Sequence, residues 1–262
     1  MGKAVWKAML KLIKYELRKN RTALLVLLAI AAALEAYFLI SIAREASEDV
    51  YTAIALLTLL FACVSFAVFI LGVSSYSGEL KRKSSYLIFM TPNSALAVII
   101  SKLLFTVVLA VLFSALALAL LAVDMPILLD VYGEWEGYYM LFEQLLLQQG
   151  VALGEIISGF LLTVSQLFLQ ILSYVGVAYL SITLSATILQ SRKGRGLVSF
   201  LLFVGIVFVL SRISGLYVTE TVAMSATGFY VQALLPTLLQ SALVLIVSTI
   251  LSAWLLKKHV SL

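Results

Sequence analysis

Very few side chains in this sequence have the types and spacing that catalysis or metal binding requires. The chain of 262 residues has one cysteine, Cys63, and one histidine, His259, which stands close to the C-terminus. A single thiol can form neither an intrachain disulfide nor a zinc site, and no Gly-rich phosphate loop of the Walker type occurs. We therefore expect no enzyme, metal or cofactor in this chain, and Cys63 is predicted to be a small buried side chain.

Two ionisable residues stand inside long apolar runs, where charged groups usually have a function if the runs cross a membrane. At a helical rise of 1.5 Å per residue, Glu35 and Arg212 lie about 18 and 22 Å from the starts of their runs. Similar depth and opposite charge predict an ion pair, within one chain or across a dimer. The alternative is that each side chain reaches separately to the membrane surface.

Three polar residues share one face of another apolar run. Gln166, Gln170 and Ser173 are separated by four and three positions, which places them together on a helix. Polar side chains on one face of a spanning helix either bond a neighbouring helix or line a path for solutes. Both interpretations are open, and the helix contact is the commoner case.

The composition of the chain predicts that helices which cross a lipid membrane position these residues. Hydrophobic residues form 63% of the chain and charged residues 12%, whereas soluble domains are nearer half apolar and a quarter charged. Spanning a bilayer takes about 20 helical residues. Six segments are long enough: 23–43, 50–76, 103–123, 156–189, 197–210 with a few following residues, and 237–256. Since lipid leaves open strands unpaired, we predict an all-α fold with six transmembrane helices in one domain, 1–262.

The distribution of cations predicts the orientation in the membrane. Sixteen of the 18 Lys and Arg residues lie before the first segment, between the second and third, between the fourth and fifth, or after the sixth. Loops rich in Lys and Arg stay in the cytoplasm. Both termini are therefore expected to be cytoplasmic, and residues 124–155 to form an outer loop. Cations placed beside apolar spans also favour lipid over nucleic acid as a partner.

The N-terminal segment 1–22 is predicted to be an amphipathic helix that lies in the membrane interface. Its cations recur every three or four residues and so form one stripe along the helix. The residues expected to anchor it are Trp6, Lys7, Lys11 and Lys14. The indole would sit at headgroup level while the lysines reach the headgroups. The alternative is a basic tail that only sets the orientation.

A basic and apolar segment separates the second and third spans. The run GELKRKSSYLIFMTPNSALAVIISKLL, which begins at Gly78, resembles the cytoplasmic segment between these spans in type-2 ABC transporter permeases. These are the membrane subunits of bacterial exporters whose ATPase is a separate chain. The matching features are Glu79, the apolar stretch 86–89, Thr91-Pro92, Ser94 and Ser101-Lys102. Two features differ, because Lys83-Ser84-Ser85 replaces a frequent Gly-Thr and Ala95 replaces a frequent Arg.

The resemblance implies that residues 77–93 form a coupling segment, which passes motion of the ATPase to the spans. It assigns this role to Gly78, Glu79, Lys81, Arg82, Lys83, Tyr86, Phe89, Thr91 and Pro92. It also implies a dimer with itself or a homologous permease, and two ABC ATPase subunits that bind ATP and Mg. An ordinary cytoplasmic loop would explain the cations but not the apolar patch.

The expected function is therefore that of the transmembrane subunit of an ATP-driven exporter in the bacterial cytoplasmic membrane. Substrate would pass between the two permease copies. The alternatives are a secondary carrier or channel, which needs titratable groups along its path, and a membrane sensor subunit.

Overall fold

The chain folds into long helices that are apolar enough to cross a membrane. The computed structural model describes residues 13–44, 47–81, 95–132, 136–137, 140, 153–189, 194–217 and 234–259, and these contain no strand. The six long helices are α1 (Arg21–Ala43), α2 (Ser47–Lys81), α3 (Ala95–Tyr132), α4 (Leu153–Ile188), α5 (Arg195–Tyr217) and α6 (Leu235–His259). Each has the length and composition of a membrane span. The predicted all-α architecture, with six helices long and apolar enough to span a membrane, is confirmed for the described residues, and the orientation of the termini stays a prediction.

Three of the helices are longer than a bilayer requires. Helices α2, α3 and α4 contain 35, 38 and 36 residues, or roughly 52–57 Å at 1.5 Å per residue. The hydrocarbon core is about 30 Å thick, so these helices tilt or project beyond it. Because α3 continues to Tyr132, residues 124–132 of the predicted outer loop are helical. Charged residues marked the expected ends of the span, but they do not interrupt the backbone hydrogen bonds of a helix.

The structure corrects the prediction that Cys63 is buried. Its thiol is exposed on the surface of α2. Many large apolar side chains of the spans are also exposed, including Phe66 of α2 and Phe200 and Phe208 of α5. A membrane helix can turn apolar groups toward lipid as readily as toward the protein core. An apolar neighbourhood in the sequence therefore could not distinguish a buried thiol from one that faces lipid.

The helices divide into two compact units, and the boundary falls within α2 and α3. The first unit contains α2 from Gly72 onward, α3 as far as Leu104, and helices α4, α5 and α6. The second contains α1, α2 as far as Leu71, and α3 from Phe105 onward. The ends of α2 and α3 that flank the predicted coupling segment thus both belong to the first unit.

Each unit is held together in a different way. In the second unit, apolar side chains of α1, α2 and α3 form two buried clusters. Their members are Ala31, Leu60, Val64, Val68, Phe105 and Leu109 in one, and Phe38, Val50, Ala53 and Leu57 in the other. In the first unit, α4 packs against both α5 and α6. Helix α4 is the most buried span, with 44% of its apolar window covered, whereas that of α5 has none.

Candidate functional site

The predicted polar face of α4 is present, and most of its hydrogen bonds stay within the helix. Gln170 donates from Nε2 to the hydroxyl of Tyr174 at 3.0 Å, and Ser173 donates to the carbonyl of Gln170 at 2.8 Å. Gln166 is only 7% exposed, and its buried Oε1 has no hydrogen-bond partner among the described residues. Gln170 and Ser173 therefore do not use these bonds to join α4 to another helix. On this face, the Gln166 amide oxygen is thus a buried acceptor that no described residue bonds.

Glu35 meets another acid in the structure. Its carboxyl group lies beside the Asp124 carboxyl group, which α3 contributes to the second unit. One oxygen of each acid, Oε2 of Glu35 and Oδ1 of Asp124, is buried without a hydrogen-bond partner among the described residues. The two acids therefore form a contact that links α1 to α3.

Arg212 lies on an exposed part of α5. The central carbon of its guanidinium group is 5.1 Å from the centre of the Phe208 ring, one turn earlier in the helix. This is a cation–π distance. Glu35 and Arg212 belong to different compact units, and their pairing stays a prediction.

Two buried tyrosines join the C-terminal end of α2 to α4, a contact that was not predicted from the sequence. The rings of Tyr76 and Tyr179 stack with their centres 4.4 Å apart, and the residues are 2% and 0% exposed. The Tyr179 hydroxyl donates to the Gly72 carbonyl at 3.0 Å, and the Tyr76 hydroxyl lies 2.6 Å from Thr183 Oγ1. We call Gly72, Tyr76, Tyr179 and Thr183 the tyrosine joint. A hydrogen bond or an aromatic pair of this kind typically contributes about 0.5–1.5 kcal/mol.

The directions of these hydrogen bonds can be assigned. Thr183 donates its single hydroxyl hydrogen to the backbone carbonyl of Tyr179 at 2.7 Å. The Tyr76 hydroxyl must therefore donate to Thr183 rather than accept from it. The result is a chain of donors from Tyr76 through Thr183 to the Tyr179 carbonyl, which leaves neither phenol without an acceptor.

The tyrosine joint also shows that α2 and α4 run in the same direction. Both interhelical bonds connect residues that are 107 positions apart. Gly72 of α2 bonds Tyr179 of α4, and Tyr76, four residues later in α2, bonds Thr183, four residues later in α4. Neighbouring spans of a membrane protein that are separated by one other span must run parallel if each crosses the bilayer. The pairing agrees with α2, α3 and α4 as three successive crossings.

A second polar contact, also missed in the sequence, joins α5 to α6. Ser214 donates to Gln240 Oε1 at 2.8 Å, and Gln240 donates from Nε2 to the carbonyl of Leu210 at 3.2 Å. One glutamine side chain of α6 thus bonds both a side chain and the backbone of α5. A glutamine within an apolar span was the available signal, because such a group needs a partner in lipid.

Gln240→Leu is expected to weaken the attachment of α5. Loss of the two interhelical bonds should lower the free energy of unfolding by about 0.6–2 kcal/mol, the range for polar contacts between membrane helices. Thermal unfolding in detergent would measure the change. Thr249→Val is the matched control, because Thr249 of α6 donates only to Leu245 of its own helix. Equal shifts in the two variants would contradict a role for Gln240 between helices.

The predicted coupling segment is described at its two ends. Gly78, Glu79 and Lys81 occupy the last turn of α2, whereas Arg82, Lys83, Tyr86, Phe89, Thr91 and Pro92 lie outside the described residues. The start of α3 is deeply buried, with Ile99 and Lys102 at most 1% exposed. The start of α3 is therefore firmly packed within the first unit.

The predicted interfacial helix is described only in part. Residues 13–19 are helical and Lys14 is exposed among them, while Trp6, Lys7 and Lys11 lie outside the described residues. Asn20 follows with φ −97° and ψ 7°, which departs from helical geometry just before α1. The amphipathic character of 1–22 stays a prediction.

The first unit thus contains the tyrosine joint, the polar face of α4 and both ends of the predicted coupling segment. The second unit contains the contact between Glu35 and Asp124.

Comparisons of the chain with family models, with curated proteins and with solved structures found no match.

Proposed function

We propose that this chain is the membrane subunit of an ATP-driven exporter of the ABC type. It would act as a dimer with itself or a homologous permease, bound to two separate ATPase subunits at the cytoplasmic membrane of a bacterium. The ATPases supply ATP and Mg binding, and the chain supplies the path. Both termini and residues 77–93 lie on the cytoplasmic side in this proposal.

The observation that carries the proposal is the placement of the helix ends around residues 82–94. The last turns of α2 and the first turns of α3 both belong to the compact unit that contains α4, α5 and α6. The start of α3 is anchored there by buried side chains, among them Val98, Ile99 and Lys102. A push on the segment between these ends would therefore act on packed helices rather than on a loose loop.

The extension of α2 is a second source of support. The helix continues to Lys81, whereas the apolar run ends near Tyr76. Lys81 lies five residues beyond Tyr76, which adds about 7.5 Å of helix. This rigid extension would bring Gly78, Glu79 and Lys81 out of the bilayer toward a soluble partner.

The proposal is tested by isolating the chain from its native membrane with a mild detergent. We expect an ATPase with a Walker motif to co-purify in one copy per chain, as identified by mass spectrometry, and to hydrolyse ATP. A variant in which residues 78–92 are scrambled should insert normally but retain at least ten-fold less ATPase, because the predicted contact surface is lost.

A scramble of residues 141–150 provides the matched control, since these residues lie on the opposite side of the membrane in the proposed topology. It should leave the amount of bound ATPase unchanged. Full retention of the ATPase by the 78–92 scramble would rule out the coupling role. A chain that purifies without any ATPase and still transports would refute the exporter.

A secondary carrier is the second candidate, and the contact between Glu35 and Asp124 favours it. Carriers need titratable groups in their spans, and this contact adds Asp124 to the one group expected from the sequence. The purified chain alone, in vesicles that contain a pH-sensitive dye, separates the two functions. Proton movement that Glu35→Gln abolishes would select the carrier.

A further inference from the structure

The tyrosine joint lies between the predicted coupling segment and the polar face of α4. Tyr76 is five residues from the end of α2, or about 7.5 Å along the helix. On α4, Tyr179 is six residues from Ser173 and thirteen from Gln166, or about 9 and 20 Å. All of these residues belong to the first unit. A displacement that enters at the end of α2 therefore meets the joint before it reaches the polar face.

The joint resists each of the simple movements of one helix past the other. Sliding by one turn would separate the Tyr179 hydroxyl from the Gly72 carbonyl and, at the same time, Tyr76 from Thr183. Rotation of either helix would unstack the rings, whose centres are 4.4 Å apart. An intermediate position would lengthen both hydrogen bonds at once, and weakening bonds between buried groups is costly away from water.

We propose that Tyr76 and Tyr179 are positioning residues that make the end of α2 and the helix α4 move as one rigid body. The use of this rigidity rests on the proposed function: in the exporter, motion of the coupling segment reaches Gln166, Gln170 and Ser173 through the joint. The rigidity itself is independent of any partner. Loss of the two hydroxyl groups uncouples the helices while the rings continue to fill their space.

The rigidity is tested on the purified chain without any ATPase. Spin labels are attached at Ser74 and Ile188, which are both exposed, in a Cys63→Ala background that removes the native thiol. Double electron–electron resonance should give one narrow distance distribution. Tyr76→Phe with Tyr179→Phe should broaden it at least two-fold. Tyr174→Phe is the matched control, because the tyrosine hydroxyl that it removes bonds Gln170 of the same helix, and it should leave the distribution unchanged.

A distribution in the double variant as narrow as in the native chain would overturn the rigid joint. The single variants Tyr76→Phe and Tyr179→Phe cover the case in which the double variant does not fold, since each keeps one interhelical bond and should broaden the distribution partially. Thr183→Val should behave as Tyr76→Phe does, whereas Thr183→Ser, which keeps the hydroxyl, should behave as the native chain.

The transmission is tested in the complex with the ATPase. A cysteine replaces Gln170 in the same background, and its rate of reaction with a small maleimide is measured with and without ATP and vanadate. We expect ATP and vanadate to change the rate several-fold in the native joint and not in the double variant, with equal ATPase bound. An unchanged response in the double variant would overturn the transmission. Absence of an ATPase complex would refute the proposed function and leave the resonance result to decide the joint.

Discussion

Replacement of Gly176 by valine is expected to destabilise the chain more than any other substitution considered. A Cβ atom at Gly176 of α4 would lie 2.5 Å from Ser248 Oγ and 3.3 Å from Leu245 Cδ1 of α6. The branched side chain has no room where the two helices meet, so we expect a loss of about 3 kcal/mol or more, the upper end of the cost of overpacking. The yield of monodisperse protein and its thermal unfolding in detergent would measure this loss.

Two further variants show whether the close approach of α4 and α6 causes the loss. Gly205 of α5 has no atom within 4 Å of the corresponding Cβ position, so Gly205→Val should unfold near the native temperature. Gly176→Ala should destabilise the chain less than Gly176→Val. Adding Ser248→Ala to Gly176→Ala should restore stability, because it removes the oxygen that lies 2.5 Å from the new Cβ atom. Equal stability of the Gly176→Val and Gly205→Val variants would disprove the close contact.

Asp124→Leu should have the second largest effect on stability. It removes the polar neighbour of Glu35 and leaves the Glu35 carboxyl group beside an apolar side chain in the span. Such an unsatisfied group typically costs about 1–3 kcal/mol. Asp124→Asn should be nearly neutral, because its amide can donate to the Glu35 carboxylate. Thermal unfolding in detergent would again provide the measurement.

Asp130 of the same helix is the matched control, since it is exposed. Asp130→Leu should change the free energy of unfolding by no more than about 0.5 kcal/mol, as surface substitutions usually do. If Asp124→Leu and Asp130→Leu were equally mild, the contact between Glu35 and Asp124 would not contribute to stability.

The spans could be predicted from the sequence because lipid permits so few solutions. A long apolar segment in a bilayer must satisfy its backbone internally, and every predicted span coincides with a helix. The ends were less predictable. Lys102 marked the expected start of the third span, yet the residue is buried within α3, which begins at Ala95. A charge shows where lipid is unfavourable, but it does not show where a helix stops.

The contacts between helices could not be predicted to the same extent. Counting residues gives the height of a side chain along a span but not the direction in which it points around the helix axis. Glu35 and Arg212 matched in height, but the structure places Asp124 beside Glu35. Tyr76 and Tyr179 each stand in an apolar run where tyrosine also suits a membrane interface. Only the packing of α2 against α4 reveals that their hydroxyl groups bond each other's helices.

The exposure of α5 determines how strictly its sequence must be kept. Helix α5 packs against α4, but the described residues bury none of its apolar window, so its remaining faces are free to meet lipid or another chain. For lipid, Leu, Val, Ile and Phe are close to interchangeable, because the hydrocarbon adapts to their shapes. Few positions of α5 then require a particular side chain, and the clearest of them is Ser214, which bonds Gln240. Homologous chains would be free to drift along most of this helix while α4, which is packed on two sides, would remain nearly constant.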